Sequence, residues 1–268
     1  VPANPPTRPP RGATDADHAL TARLAADAGR LLVSLRADLV ARGAPTDELK
    51  DEGDRQAHDL LMAALAPQVA GGDAVLSEEG ADDQTRLDHR RVWIVDPLDG
   101  TREFGEPPRT DWAVHVALTI DGVPAAGAVA LPARGRVLGT APPPTVPPAH
   151  DGPPRVIVSR SRPPAAATWL AHELGGQLVT MGSAGAKAMA VVLGDADVYA
   201  HSGGQYEWDS CAPVAVAAAA GLHVSRLDGS ALRYNNADPY LPDLLICRAE
   251  LADPVLAALE RFAPPEIA

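Results

Sequence analysis

Cysteine, phenylalanine and positive charge are what this chain has least of. It holds 2 Cys and 2 Phe in 268 residues. Cys211 and Cys247 stand apart in apolar surroundings with no metal-ligand spacing, so they read as buried thiols of a reducing, cytoplasmic compartment. No apolar run is long enough to cross a bilayer and no stretch reads as a secretory signal, so no membrane partner is expected. Lys and Arg number 23 against 35 Asp and Glu, a formal net charge of -12. That balance argues against a nucleic-acid polymer as partner. A polyanionic ligand must therefore be met by local cations or a metal, not by the field of the whole protein. Several catalytic signatures are also missing. There is no G-x-S-x-G, and the 8 His residues show neither H-x-H nor H-E-x-x-H. Gly182-Ser183-Ala184-Gly185-Ala186-Lys187 lacks the spacing of a nucleotide triphosphate loop. Asp195-Ala196-Asp197 mimics a phosphoryl-accepting D-x-D, but Gly194 precedes it and the apolar strand follows, which predicts a surface turn.

What is present suffices for one large or two modest domains. Residues 1–13 form a Pro-rich stretch without periodicity, expected to be a disordered leader. Leu20, Leu24, Ala28, Leu31, Leu35 and Leu39 recur at helical spacing between Thr14 and Ala41, and Gly43 with Pro45 ends that helix. The charged segment Lys50 to His58 opens a second helix, with Asp54 as its predicted cap. Ala74 to Ser77 is a brief strand ending in Glu78-Glu79. Asp111 to Thr140 alternates like a hairpin turning at Asp121-Gly122. Ala141 to Pro154 contains 7 prolines and reads as a seam between an α+β part, 14–150, and an α/β part, 151–268. Beyond it, strands and helices alternate, and Asp209 falls at the start of an Ala-rich helix.

One stretch carries chemistry. Arg91 to Val95 is apolar and β-branched, which predicts a buried strand. It ends in Asp96-Pro97-Leu98-Asp99-Gly100-Thr101. Pro97 holds Asp96 extended, and Gly100 permits a left-handed turn and a close approach to the backbone. Thr101 then begins a helical turn. Two acids converging at a strand end make a hard-cation site, and a fresh helix start beside them suits an anion. Metal plus anion in one loop points to phosphate chemistry; a capped turn with solvated acids is the bland alternative.

The string D-P-L-D-G-T-R-E-F, with Glu78-Glu79 before it and Trp208-Asp209 after it, resembles the signature of the lithium-sensitive, magnesium-dependent phosphatase family. That family includes inositol monophosphatases, fructose-1,6-bisphosphatases and 3′-phosphoadenosine-5′-phosphate phosphatases. The resemblance implies a layered αβαβα sandwich. It implies two or three Mg2+ ions held by Glu78, Asp96, the Leu98 carbonyl, Asp99 and Asp209. It also implies that Thr101, oriented by Asp54, positions the attacking water with Glu79 nearby, while the Gly100 and Thr101 N–H groups hold the phosphate. Asp51 stands where the family has a Thr. Arg102-Glu103-Phe104, Glu207 and the Leu227 to Asn235 segment look like the nucleotidase branch. That branch hydrolyses 3′-phosphoadenosine 5′-phosphate to AMP and phosphate in sulfate assimilation. A broad inositol monophosphatase or fructose-1,6-bisphosphatase is the alternative, although enzymes for inositol phosphate usually read D-G-T-T-N-F. Ser183, Lys187, Glu207, Arg233 and Tyr234 are the expected substrate contacts, Arg233 as a phosphate clamp and Tyr234 against a base or ribose. A regulator that only binds phosphate is a different class, disfavoured because every expected metal acid is present. Oligomeric state stays open, a homodimer included.

Overall fold

The computed structural model describes residues 12–262, so the expected leader lies outside the described residues apart from Gly12 and Ala13. Helix α1 (Asp15–Ala41) starts from a capping box, in which Thr14 Oγ1 accepts from Asp17 N and Asp17 Oδ2 accepts from Thr14 N. Helix α2 (Thr46–Ala70) begins just after Pro45. The fixed φ of Pro45 and the acids Asp47 and Glu48 suit a first turn. This corrects the expected start at the charged segment: Asp54 is an interior helical residue, not a cap.

Both helices cover one face of a sheet built from β1 (Ala74–Ser77), β2 (Arg91–Asp99), β3 (Ala113–Ile120), β4 (Val123–Leu131) and β5 (Arg136–Gly139), paired in that order. Strand β2 runs past its expected end at Val95. A bulge between Asp96, opposite His115, and Asp99, opposite Ala113, absorbs Pro97, which has no N–H for the ladder. Gly100, at φ 86°, then turns the chain into the single-turn helix α3 (Thr101–Phe104). Every residue of β3 is buried. Its alternation therefore does not divide core from solvent, because helices pack on both faces.

The Pro-rich run leads into a second sheet. Its elements follow as β6 (Arg155–Ser159), α4 (Ala165–Glu173), β7 (Gln177–Met181), α5 (Ala184–Val192), β8 (Val198–Tyr206), α6 (Glu207–Ala219), β9 (His223–Ser225), β10 (Tyr240–Cys247) and α7 (Ala252–Leu259). The strand order is β7-β6-β8-β10-β9. Helices α5 and α6 lie between the sheets, where Met189 and Val216 join Ile94 and Val129 of the first sheet and Ile246 of the second in one core. Leu24, Leu32 and Leu61 of α1 and α2 close the core on the first sheet's other face. Leu170 of α4 and Val255 of α7 cover the outer face of the second sheet. The layers are thus α, β, α, β, α, as the resemblance implied.

Asp197 departs from the expected surface turn. It is buried, and its carboxylate accepts from Arg155 N (2.8 Å), Arg248 Nε (3.2 Å) and His150 Nε2 (3.0 Å). Arg248 in turn donates to the Pro147 carbonyl at 2.6 Å. The pairing secures the Pro-rich run to the second sheet.

Candidate active site

The acids gather where the two halves of the chain meet. Asp96 and Asp99 come from the bulged end of β2 and Asp209 from the first turn of α6. Each places a carboxylate oxygen within 4.8 Å of the other two. Asp209 sits three residues into the helix rather than at its cap, and its Oδ2 accepts from Tyr206 N at 2.7 Å. Burial, then repulsion from Asp99, pushes its carboxyl up to about 7. Asp96 is driven well above the usual carboxylate range by burial and by Glu78, Asp99 and Asp209. Glu78 is exposed and lies outside that trio, beside Asp96; desolvation of its carboxyl, with repulsion from Asp99 and Glu79, takes it up to about 7. Only Asp99 goes the other way. Burial raises it, but His115, Ser183 and Lys187 outweigh that and hold it at about 2. Its carboxylate accepts from Ala184 N (3.0 Å), Gly185 N (2.6 Å) and Ser183 Oγ, so the positive end of α5 fixes it. Mutually repelling, oxygen-only ligands in a buried cluster are what a hard divalent cation compensates. The donor set fits magnesium.

The expected Thr101–Asp54 pair is present. Thr101 Oγ1 lies 3.1 Å from Asp54 Oδ1 and 3.0 Å from the Leu98 carbonyl. Helix α2 can come this close because residue 53 is Gly. A Cβ there would lie 2.7 Å from Leu98 Cδ2 and 2.8 Å from Phe104 Cε1. Burial pushes Asp54 up to about 7, the Thr101 hydrogen bond pulls down, and Glu79 and Asp51 push up again. Glu79 is exposed. The single Thr101 hydroxyl proton can go to either acceptor, and when it goes to Asp54 the Leu98 carbonyl is left free for an ion. Gly100 is where glycine is required: besides its positive φ, a Cβ would lie 3.0 Å from Ser183 Cβ and 3.2 Å from the Asp111 carbonyl.

Sequence reasoning passed over His115. It is fully buried on β3, its Nδ1 is 3.0 Å from the Trp208 carbonyl and its Nε2 is 3.2 Å from Asp99 Oδ2. The available signal was a lone polar ring within an apolar strand, and it reads more simply as a core histidine.

Beside Asp99 lies a cavity of about 390 Å³, lined in part by Arg102, Ser159, Arg160, Arg162, Ser183 and Lys187. Lys187 is buried, and its Nζ donates to the Ser183 carbonyl (2.5 Å) and the Gly182 carbonyl (3.4 Å). An ammonium has three donors, which leaves one for a ligand. Arg160 is held by Glu103 (2.6 Å) and Glu106 (2.7 Å), whereas Arg162 is exposed and makes no ion pair among the described residues. The arginines at the end of β6 were also missed; the signal was the Ser159-Arg160-Ser161-Arg162 string itself.

Two expected contacts are corrected. Glu207 is fully buried and accepts from Asn235 N (2.6 Å) and Asn236 N (2.8 Å), so it pins the loop before β10 rather than facing a ligand. Tyr234 is 2% exposed, with its hydroxyl 3.1 Å from Ser210 Oγ, and offers no face to a base. Arg233 is exposed on that same loop. An aromatic surface exists instead at Tyr206, which is 41% exposed and stacked on Trp208 with centroids 4.9 Å apart and planes 9° from parallel.

Comparison with known proteins finds relatives in sequence and in fold. The profile of the inositol monophosphatase family matches residues 16–142 and 156–262. A Mycobacterium tuberculosis protein named 3′-phosphoadenosine 5′-phosphate phosphatase is 54% identical over 241 residues, covering 87% of this chain and 89% of that protein. The Escherichia coli 3′(2′),5′-bisphosphate nucleotidase CysQ is 32% identical over 202 residues, 70% of this chain and 80% of that one. Among solved structures, CysQ from Bacteroides thetaiotaomicron superposes with a TM-score of 0.71 at 26% identity, covering 87% of this chain and 97% of that one. Inositol monophosphatase II from Staphylococcus aureus shares the fold, with a TM-score of 0.75 at 20% identity over 91% of this chain and 94% of that one.

Proposed function

The chain belongs to the inositol monophosphatase family, and from that premise we propose that it is a magnesium-dependent phosphatase that hydrolyses 3′-phosphoadenosine 5′-phosphate to AMP and phosphate, a reaction of cytoplasmic sulfate assimilation. The observation that carries this reading is the buried Asp96–Asp99–Asp209 cluster with the Thr101–Asp54 pair beside it. With Glu78 and the Leu98 carbonyl, the cluster would hold two or three ions. Bound magnesium supplies Lewis-acid polarisation of the phosphoryl group, a more acidic water and charge for the leaving oxygen.

The chain's own residues do the rest. Thr101 Oγ1 orients the attacking water and passes its proton towards Asp54. A carboxyl held near 7 is matched to that task at neutral pH. The Gly100 and Thr101 N–H groups bind phosphoryl oxygens at the start of α3. Water attacks in line with the departing 3′-oxygen, so no side chain forms a bond to phosphorus. The second phosphate of the substrate needs a cation that the acid cluster cannot offer. Lys187, Arg162 and Arg102 in the adjoining cavity supply it. The ring of Tyr206, beside Asp209, gives the adenine an aromatic face, a contact worth roughly 1–3 kcal/mol per base. Inositol 1-phosphate would use neither feature, which places an inositol phosphatase second. Phosphate release from both substrates, with magnesium and with EDTA, tests the reading.

A further inference from the structure

His115 is neither a ligand in the proposed cluster nor part of the Thr101–Asp54 pair, yet its ring touches both halves of the site. Its backbone faces Asp96 across the β2–β3 ladder. Nδ1 donates to the carbonyl of Trp208, the residue before Asp209, at 3.0 Å. Nε2 points at Asp99 Oδ2 from 3.2 Å without a well-formed hydrogen bond, and it is otherwise unpartnered in a fully buried position. Helix α5 is shaped to this ring. A Cβ at Gly185 would lie 1.9 Å from Nε2 and 2.9 Å from Cε1. Gly185 N meanwhile donates to Asp99 at 2.6 Å. The imidazole thus fills the one volume that any other residue at 185 would need, and it links Asp99, held against the start of α5, to the Trp208 carbonyl next to Asp209 in α6.

We infer that His115 and Gly185 act as a matched pair that fixes the spacing of the metal-binding acids, with His115 as the positioning residue and Gly185 as the space that admits its ring. This rests on reading those acids as the magnesium ligands. A rigid ring anchored at Nδ1 on the Trp208 carbonyl sets the distance between Asp99 and the first turn of α6 that carries Asp209, and outer partners of this kind typically govern metal affinity by roughly 10–100-fold. Gly185→Ala would ordinarily favour a helix; here the added methyl must displace the ring, and with it Asp99.

The test is calorimetric titration of Mg2+, and EPR titration of Mn2+, into the metal-free full chain, with circular dichroism to verify folding. His115→Asn and Gly185→Ala should each weaken binding roughly 10–100-fold. His115→Gln, whose amide reaches about as far as Nε2, should retain more affinity than His115→Asn. In the His115→Ser background, Gly185→Ala should weaken binding no further, since the ring it collides with is gone; such non-additivity is the mark of direct coupling. Folded His115→Asn that binds both ions within threefold of wild type would overturn the inference, as would a Gly185→Ala penalty undiminished in the His115→Ser background. Wild-type protein that binds neither ion would overturn the ligand assignment itself, and the inference with it.

Discussion

Thr101→Ala removes the hydroxyl oxygen together with a methyl group and touches no proposed metal ligand side chain. That oxygen lies 3.1 Å from Asp54 Oδ1 and 3.0 Å from the Leu98 carbonyl. Two effects follow. The attacking water loses its orienting partner, and Asp54 loses a hydrogen bond to its charged form. Positioned proton transfer is worth about 10²–10⁴-fold, which is roughly 3–5 kcal/mol of activation free energy. The loss should fall on kcat and leave KM nearly unchanged, because the hydroxyl acts in the transition state. The second effect sets the pH profile. Asp54 is already raised to about 7 by burial, against the pull of Thr101. Without the hydroxyl its pKa climbs further, so the acid limb of the residual activity should move to higher pH. Thr101→Ser keeps the oxygen and should recover most of the rate. The assay is phosphate release at saturating magnesium across pH 6–9. A kcat within a fewfold of wild type, or a loss confined to KM, would refute the proton relay and make Thr101 a binding residue.

Asp209→Asn can still accept from Tyr206 N, so the start of α6 should survive while magnesium affinity and turnover collapse; a folded variant with near-normal activity at ordinary magnesium would remove Asp209 from the ligand set. The stabilisation given by magnesium should grow as pH rises from about 5 to about 7.5. Asp96, Asp209 and Glu78 are raised, the latter two to about 7. In the metal-free protein their contribution to stability is present below the ordinary carboxylate pKa of about 4 and is lost as pH climbs through about 7, where the ion finds them ionised. His201, lowered to about 4 by burial, acts in the opposite sense, so the informative quantity is the difference in Tm between magnesium and EDTA at each pH; a difference that shrinks over this range would contradict the cluster. Arg162→Ala and Tyr206→Ala should each lower kcat/KM for 3′-phosphoadenosine 5′-phosphate roughly tenfold or more, as a charge-assisted hydrogen bond or a stacked base suggests. Inositol 1-phosphate should lose much less, and equal losses on both substrates would dissociate these residues from nucleotide recognition.

Asp96 and Asp99 are legible because two acids at a strand end carry their chemistry whatever the surrounding helices do, whereas Asp209 joins them only through the family resemblance. Asp54 was assigned its partner Thr101 although its helix was started too late, since the charged segment hides the stronger start signal at Pro45. The loop near Tyr234 shows the limit of linear reading. The string suggests a Tyr234 open to a base or ribose, but inside it Leu232 and Tyr234 are buried while Glu207 binds the loop's N–H groups. His115 was opaque for a related reason. Its role depends on Gly185 and Trp208, brought to it from the other half of the chain, and nothing local to β3 announces either. The arginines after β6 gain their meaning only because that strand ends beside Lys187 and Ser183.

The most direct test is kcat/KM for 3′-phosphoadenosine 5′-phosphate, inositol 1-phosphate and fructose 1,6-bisphosphate, measured by phosphate release under one set of conditions, with magnesium and with EDTA. The account predicts that the bisphosphate nucleotide leads clearly, that AMP is its nucleotide product, and that EDTA abolishes turnover on all three. Preference for inositol 1-phosphate, or undiminished hydrolysis in EDTA, would contradict it.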